Sequence, residues 1–414
     1  MKMRCLTGIF VIIAFTTFAQ SEEKPLSYFL NEGLSNSPVL KDLNNQAHSN
    51  SIDSLLVKAG YKPQVTFNTW MMYAPVINGY GYSDVITNGQ NLSSTFNATQ
   101  TIFNKKTINA QYSGFGIQNQ SLLNLSKLTS NDLKKVITAQ YLTAYSVLTD
   151  KQSTAELLTT TLGEDAILKE LVNQGFYKQT DYLTFLIELQ SLTLQIAGME
   201  IQYKRELSAL NNLCGIKDTT TYILLLPELA GNPLGQSPVS LLFMRYKIDS
   251  LRIQNQKYLI DRHYKPELKW FTDAGIVNNE PRYIYQNFGI SLGLSLSLPV
   301  FDGNQRKLNY QKLKSSEDTR KNYEDSFRRQ YDQQIRQLNG ELRSTQQLIP
   351  QMMKQLDLFN ELIHQDWMLV NQGTISITEY ITALKNYIVS QKDLNQMKIK
   401  KLEIINEINY LIQN

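Results

Sequence analysis

The stretch Phe288-Gly289-Ile290-Ser291-Leu292-Gly293-Leu294-Ser295-Leu296-Ser297-Leu298 decides how this chain folds. Every second residue is large and apolar, and the residues between them are glycine or serine. A period of two makes a β-strand with one apolar face and one small, polar face. Three other segments follow the same rule less cleanly. Leu92, Phe96, Ala98 and Ile102 oppose Ser93, Thr95, Asn97, Thr99 and Thr101. Val65, Phe67, Met71 and Tyr73 oppose Gln64, Thr66 and Asn68. Leu268, Trp270 and Ile276 oppose Lys269 and Asp273. The pattern predicts strands over 64–75, 92–103, 267–278 and 286–299. Each is about 12 residues long, near the roughly 9–11 that cross a bilayer at barrel tilt. A soluble sandwich with one wet face shows the same alternation. If the strands lie in lipid, four are too few, because the smallest membrane barrels have about eight and an open sheet edge is not tolerated there. That reading therefore requires several copies of the chain. The connection 76–91 carries the turn formers Asn78-Gly79, Gly81 and Asn88-Gly89, and 279–285 is shorter. Both are expected to face the exterior.

Outward from the strands, the sequence turns helical. Residues 105–172 contain no proline, and Leu122, Leu125, Leu128, Leu133, Ile137, Tyr141 and Leu148 recur at helical steps. A second such stretch covers about 304–370. Either would extend about 100 Å at 1.5 Å per residue. Pro350 lies inside the second and is expected to kink or break it. After each long stretch comes a return helix, 179–213 and 377–411, while 26–60 and 238–262 read as helices that continue the same columns. Apolar rows on such columns need helical neighbours.

The two halves repeat one another. Ser37-Pro38-Val39 recurs as Ser237-Pro238-Val239, Tyr61-Lys62-Pro63 as Tyr264-Lys265-Pro266, and Ile102-Phe103-Asn104 as Val300-Phe301-Asp302. Asn173-Gln174-Gly175 recurs as Asn371-Gln372-Gly373, Thr180-Asp181-Tyr182 as Thr378-Glu379-Tyr380, and Leu210-Asn211-Asn212-Leu213 as Ile408-Asn409-Tyr410-Leu411. The offsets stay between 198 and 203 residues. Six matches in one order read as a tandem duplication. The first structural repeat is 20–213 and the second 237–414. Residues 214–236, rich in glycine and proline, form a linker or equatorial belt between them.

Lys2 and Arg4, the apolar run 6–18 and the small residue Ala19 read as a secretory signal peptide, 1–19, cut after Ala19. The run is too short to span a bilayer. An exported chain then keeps one cysteine, Cys214, so no intramolecular disulfide holds it. The 41 basic and 37 acidic residues nearly balance, with no basic patch, so nothing argues for a nucleic-acid partner and none is expected. His48, His263 and His364 are scattered, and no metal spacing, phosphate loop or nucleophile motif is present. Neither a catalytic residue nor a cofactor or metal is expected.

Over nearly the whole mature length the chain resembles the TolC-type outer-membrane efflux proteins. The resemblance rests on Glu32-Gly33-Leu34-Ser35-Asn36-Ser37-Pro38-Val39-Leu40, Tyr61-Lys62-Pro63-Gln64, Leu298-Pro299-Val300-Phe301-Asp302-Gly303 and the two Asn-Gln-Gly turns. It implies a mixed α/β membrane protein that forms a homotrimer. Each chain would give four strands to a 12-stranded outer-membrane β-barrel and four columns to a long antiparallel α-helical barrel in the periplasm. It also implies outer-membrane lipid around the strands, and a periplasmic adaptor protein that links the helical end to an inner-membrane pump.

On this reading the turns carry the candidate site. Asn173, Gln174 and Gly175, with Asn371, Gln372 and Gly373, are candidates for the helical turn and the adaptor contact, within 172–178 and 370–376. Asp181 and Glu379 are candidates for an acidic ring at the aperture, or for helix capping, since Ser376 and Glu379 have capping-box spacing. Where relatives often place another constricting acid, this chain has Thr382. Three functions fit the sequence: a tripartite efflux duct, the outer duct of a type I protein secretion system, and a surface coiled-coil structural or adhesive protein.

Overall fold

The computed structural model describes residues 22–83, 87, 89–102, 105–218, 220–229, 241–279 and 281–412. The signal peptide and its cut after Ala19, Asn88, Phe103-Asn104, residues 230–236 of the linker, the Ser237-Pro238-Val239 copy and the start of the helix expected from 238 lie outside them. The elements are β1 (Glu23–Lys24), α1 (Leu26–Asn36), α2 (Pro38–Gly60), β2 (Gln64–Tyr73), β3 (Gln90–Ile102), α3 (Lys105–Asn173), α4 (Gln179–Leu213), β4 (Ile223–Leu224), α5 (Leu241–His263), β5 (Glu267–Asn278), β6 (Phe288–Ser297), α6 (Gln305–Asn371) and α7 (Ile377–Ile412). A 3-10 helix, Pro281–Gln286, joins β5 to β6.

The chain divides into two units, each built from segments far apart in sequence. One takes the described residues of Ser37–Asp132, Asn232–Gly340 and Ile408–Asn414. It holds a four-stranded antiparallel sheet in the order β2-β3-β5-β6. This sheet leaves many of its large apolar side chains exposed. Phe288, Ile290, Leu292, Leu294 and Leu296 on β6 are 64–79% exposed, and Val65, Phe67, Met71 and Tyr73 on β2 are exposed too. On β3 the polar Ser93 and Thr95 are buried while Phe96 is exposed. Water would favour the reverse arrangement. Gly275 is required where β5 meets β3, because a Cβ there would lie 2.2 Å from the Ser94 carbonyl oxygen. Phe67 and Phe96 pack across strands with ring centroids 4.8 Å apart. In the helices of this unit, Asn50 of α2 donates to the Phe115 carbonyl (3.0 Å) and to Asn119 Oδ1 (2.7 Å), while Phe243 of α5 packs edge-on against Phe327 and Tyr331 of α6.

The other unit takes the described residues of Met1–Asn36, Leu133–Gly231 and Glu341–Glu407. Its first core gathers Leu26, Phe29, Ile137, Tyr141, Tyr203, Leu207, Leu210, Cys214, Tyr222 and Leu224. Gly33 lets α1 lie on α3, since a Cβ would stand 2.3 Å from Ile137 Cδ1. The described part of the segment after α4 folds into this core. There β4 pairs in parallel with β1, and the Tyr141 hydroxyl donates to the Leu225 carbonyl at 2.7 Å. Among the described residues no helix is long and apolar enough to cross a membrane.

Several sequence expectations need correction. The helix expected over 26–60 is two helices. Ser37 leaves the helical region and caps α2 by accepting from the Leu40 N–H at 3.4 Å, with Pro38 as the first helical residue; a residue before proline disfavours the α conformation. The first strand ends at Tyr73 and not at 75, where Pro75 has no N–H for the ladder. The second begins at Gln90, opposite Tyr73. The fourth is shorter at both ends, because residue 286 belongs to the 3-10 helix and the strand stops before Leu298-Pro299. Pro350 does not break α6, which runs unbroken through it. Pro350 and Gln346 are both exposed, so the carbonyl that loses its N–H partner turns to water. Replacing Pro350 by alanine restores that bond. The P350A variant is expected to be stabilised by up to about 3 kcal/mol, seen as a raised thermal midpoint in detergent. An unchanged or lowered midpoint would show that α6 gains nothing from an unbroken ladder.

Candidate functional site

Both long helices end in the same way. Gly175 (φ +82°) and Gly373 (φ +69°) adopt the left-handed conformation. The Gly175 N–H donates to Val172 O at 3.0 Å and the Phe176 N–H to Leu171 O at 3.0 Å; Gly373 and Thr374 repeat this on Val370 O (2.9 Å) and Leu369 O (3.0 Å). These paired bonds are Schellman caps. Asn173 and Asn371 are the last helical residues, and Gln174 and Gln372 follow as caps. All six residues of the two Asn-Gln-Gly turns are exposed. Gln174 holds the Glu170 carboxylate at 2.9 Å.

The two turns lie against one another. Phe176 packs on Gly373, where a Cβ would come within 2.8 Å of its Cδ1. The Tyr177 hydroxyl is shared between the carbonyls of Val370 (2.9 Å) and Ile375 (2.8 Å), so a side chain of the first turn satisfies backbone groups of the second. Beneath them Leu168, Phe185, Leu189, Val370, Ile377, Tyr380, Ile381 and Leu384 form one buried cluster.

The candidate aperture residues divide by environment. Asp181 is half-buried, and its carboxylate accepts from the Lys178 N–H at 3.0 Å, a capping contact at the start of α4. Glu379 is exposed. Its backbone N–H donates to Ser376 Oγ at 3.2 Å, and burial, helped by the negative charge of Glu379, holds the Asp366 carboxyl above the usual range. Thr382 is exposed, and its hydroxyl donates to the Thr378 carbonyl of its own helix at 2.7 Å.

Three contacts below the turns escape sequence reasoning. The repeat-related Tyr182 and Tyr380 donate to consecutive carboxylates of α3. Tyr182 reaches Asp165 at 3.0 Å, and Tyr380, 1% exposed, reaches Glu164, 8% exposed. The buried Glu188 of α4 pairs with Lys385 of α7 at 3.0 Å. The tyrosines were visible as a repeated position. Glu164 had a signal of its own, because it occupies the apolar row Leu157, Thr161, Glu164, Leu168. Burial pushes its carboxyl up to about 7, against the opposing pull of the Tyr380 hydrogen bond. Among the described residues no group of three His, Cys, Asp or Glu side chains is placed to hold a metal ion.

The paired helical hairpins and the four-stranded sheet with exposed apolar side chains are the elements of one fold class, that of TolC-type outer-membrane channels. The chain is similar to the outer membrane protein VceC of Vibrio cholerae, at TM-score 0.77 and 12% identity over 94% of this chain and 95% of that one. It is also similar to the CmeC outer membrane channel of Campylobacter jejuni (TM-score 0.71, 13% identity, 94% and 85%) and to the MtrE outer membrane channel of Neisseria gonorrhoeae (0.69, 10%, 94% and 88%). No family model matches the sequence, and no curated protein matches it. At these identities the likeness is one of fold.

A carboxyl whose folded value is raised from 4.5 to about 7 favours the folded state fully below the unfolded value and loses that advantage as pH rises through about 7. The loss is roughly 3 kcal/mol. Wild-type protein is therefore expected to become easier to unfold between pH 5 and 8, and Glu164→Gln to flatten that dependence. Parallel urea titrations across this range test it; equal slopes for the two proteins refute the assignment.

Proposed function

We propose that this chain is one third of a passive duct through the outer membrane, the exit channel of a tripartite efflux system. The observation that carries the reading is the sheet. Its large apolar side chains are exposed, and β2 and β6 are unpaired edges. Lipid accepts the first feature and forbids the second. Three copies give twelve strands and join each β6 edge to the β2 edge of the next. A surface coiled-coil protein needs no such sheet.

The paired turns supply the end that faces the periplasm. Their exposed Asn-Gln-Gly residues form the contact for a periplasmic adaptor, and an inner-membrane pump acts through that adaptor. Asp181 and Glu379, repeated in three copies, place carboxylates around the aperture; Glu379, exposed and without a capping bond through its carboxylate, is the better placed of the two. Thr382 adds a neutral ring, so this aperture is less acidic than one with a second ring of acids. The duct does no chemistry. Opening moves the hairpins outward at the tip, a rearrangement of packed helices, and breaks the Tyr380–Glu164 and Tyr177 contacts.

Proline cannot adopt a positive φ and has no N–H to donate, yet each turn glycine needs both. Gly175→Pro and Gly373→Pro are expected to abolish export of a dye from cells while a heat-sensitive trimer is still extracted from outer membranes by detergent. Normal export by both variants removes the turns from the mechanism. A monomer in the aqueous phase removes the duct.

A further inference from the structure

Tyr61-Lys62-Pro63 and its repeat Tyr264-Lys265-Pro266 stand directly before β2 and β5, and the proposed duct gives them no task. The two are built alike. The Lys62 N–H donates to the Ala59 carbonyl at 3.0 Å and the Lys265 N–H to the Arg262 carbonyl at 3.1 Å. The proline that follows disfavours further helix, and a strand begins. Both strands start at the same end of the sheet, where β3 and β6 finish, since Gln64 pairs with Thr99, Ile102 with Leu268 and Glu267 with Ser297.

Positive charge gathers at that end. The eleven residues adjoining each of the four strand ends, 53–63, 103–113, 256–266 and 298–308, hold nine lysines and arginines against three aspartates. This surplus of six exceeds the +4 of the whole chain, so the remainder is net acidic. At the opposite end of the sheet, the connections 74–89 and 279–287 hold one arginine against an aspartate and a glutamate. Two of the three aspartates are already engaged. Asp261 pairs with Arg306 at 2.6 Å, and Asp302 accepts from the N–H groups of Asn304 (2.9 Å) and Arg306 (2.8 Å). Lys58, Lys62, Lys265 and Lys307 are exposed, and none has a carboxylate partner among the described residues.

Bare apolar side chains stand among these cations. Leu55 and Leu56 are 62–63% exposed beside Lys58, and Leu298, Val300 and Phe301 are 51–92% exposed before Arg306 and Lys307. Cations alone fit any polyanion. Cations interleaved with apolar side chains fit the boundary of a lipid layer, where the apolar groups enter the acyl region and the ammonium groups reach the phosphates. The strands are 10–13 residues long, enough to cross the hydrocarbon at barrel tilt, so the belt falls at headgroup level.

We infer that this basic belt binds anionic phospholipid headgroups of the periplasm-facing leaflet, with Lys62 and Lys265 as its repeated anchors. The inference rests on the membrane barrel proposed above. Clusters of about four to eight lysines and arginines beside a membrane-crossing element recognise such headgroups. Lysine suits the task because its ammonium is a flexible point charge that meets a phosphate without fixed geometry.

The test uses the full-length protein in vesicles of equal parts phosphatidylglycerol and phosphatidylcholine. Native mass spectrometry after gentle detergent extraction counts the lipids that stay bound. Wild-type protein is expected to retain phosphatidylglycerol in preference. Lys62→Gln/Lys265→Gln is expected to lower that preference about fivefold or more, while Lys62→Arg/Lys265→Arg keeps it. Lys169→Gln/Lys354→Gln, which removes two exposed lysines far from the sheet in sequence, is expected to leave it unchanged. Equal retention of both lipids by wild-type protein, which would leave the belt to a soluble acidic partner, overturns the headgroup site and leaves the duct standing. Full preference in the Lys62→Gln/Lys265→Gln variant, or an equal loss in the Lys169→Gln/Lys354→Gln variant, does the same. Protein that never enters the vesicles overturns both.

Discussion

Backbone amides and carbonyls at the edge of a sheet must be paired, and lipid offers them nothing to pair with. The rest of this structure follows from that constraint. Strands β2 and β6 each leave one row of such groups open, and a single chain has no way to bring them together, because the sheet has only four strands and the smallest closed membrane barrels have about eight. The side chains agree with the backbone. Isoleucine and leucine at 69–79% exposure along β6 would be an aggregation hazard in water, yet they are the expected covering of a barrel wall. Neither feature alone chooses between a soluble and a membrane sheet; together they support the proposed setting in lipid with further copies.

The helical end carries one turn in two copies whose surroundings differ. The two Schellman turns are the same object made twice, down to the carbonyls they satisfy. The contacts that lock them together are not symmetric. Tyr177 serves the second turn, while its repeat counterpart Ile375 offers only its backbone and an apolar side chain. Tyr182 and Tyr380 are equivalent, yet both donate to α3, one to Asp165 and the other to Glu164. The asymmetry sits where α3 touches both return helices.

Much of this was legible in the sequence, for stateable reasons. β3 and β6 announced themselves because a period of two survives when one face carries large apolar side chains and the other small polar ones. The turns announced themselves because a left-handed backbone restricts the residue to glycine. Boundaries were less legible. At Ser37-Pro38 a proline ended one helix by beginning another, whereas Pro350 ended nothing. The difference is solvent: the carbonyl freed by Pro350 lies on an exposed stretch of a helix whose other face is packed. Tyr177 and Glu164 were missed because their roles are pairings across about 200 residues of sequence, which no local pattern encodes.

A buried carboxylate in a helical bundle is costly unless its partner is fixed, so Glu164 would be a poor choice if rigidity were the only requirement. Leucine at that position would continue the apolar row of α3 and pack under Tyr380 without any charge to desolvate. What the carboxylate adds is a directional contact that is lost abruptly. An apolar contact weakens gradually as helices slide, because dispersion and burial are spread over many atoms. A hydrogen bond from Tyr380 holds over a few tenths of an ångström and then fails, and its failure admits water to a group that prefers it. The Glu188–Lys385 pair, with its carboxylate buried and its ammonium exposed, has the same character one turn further along α7. Such contacts resist small displacements and offer little resistance to large ones, the behaviour that the proposed duct would need at its aperture.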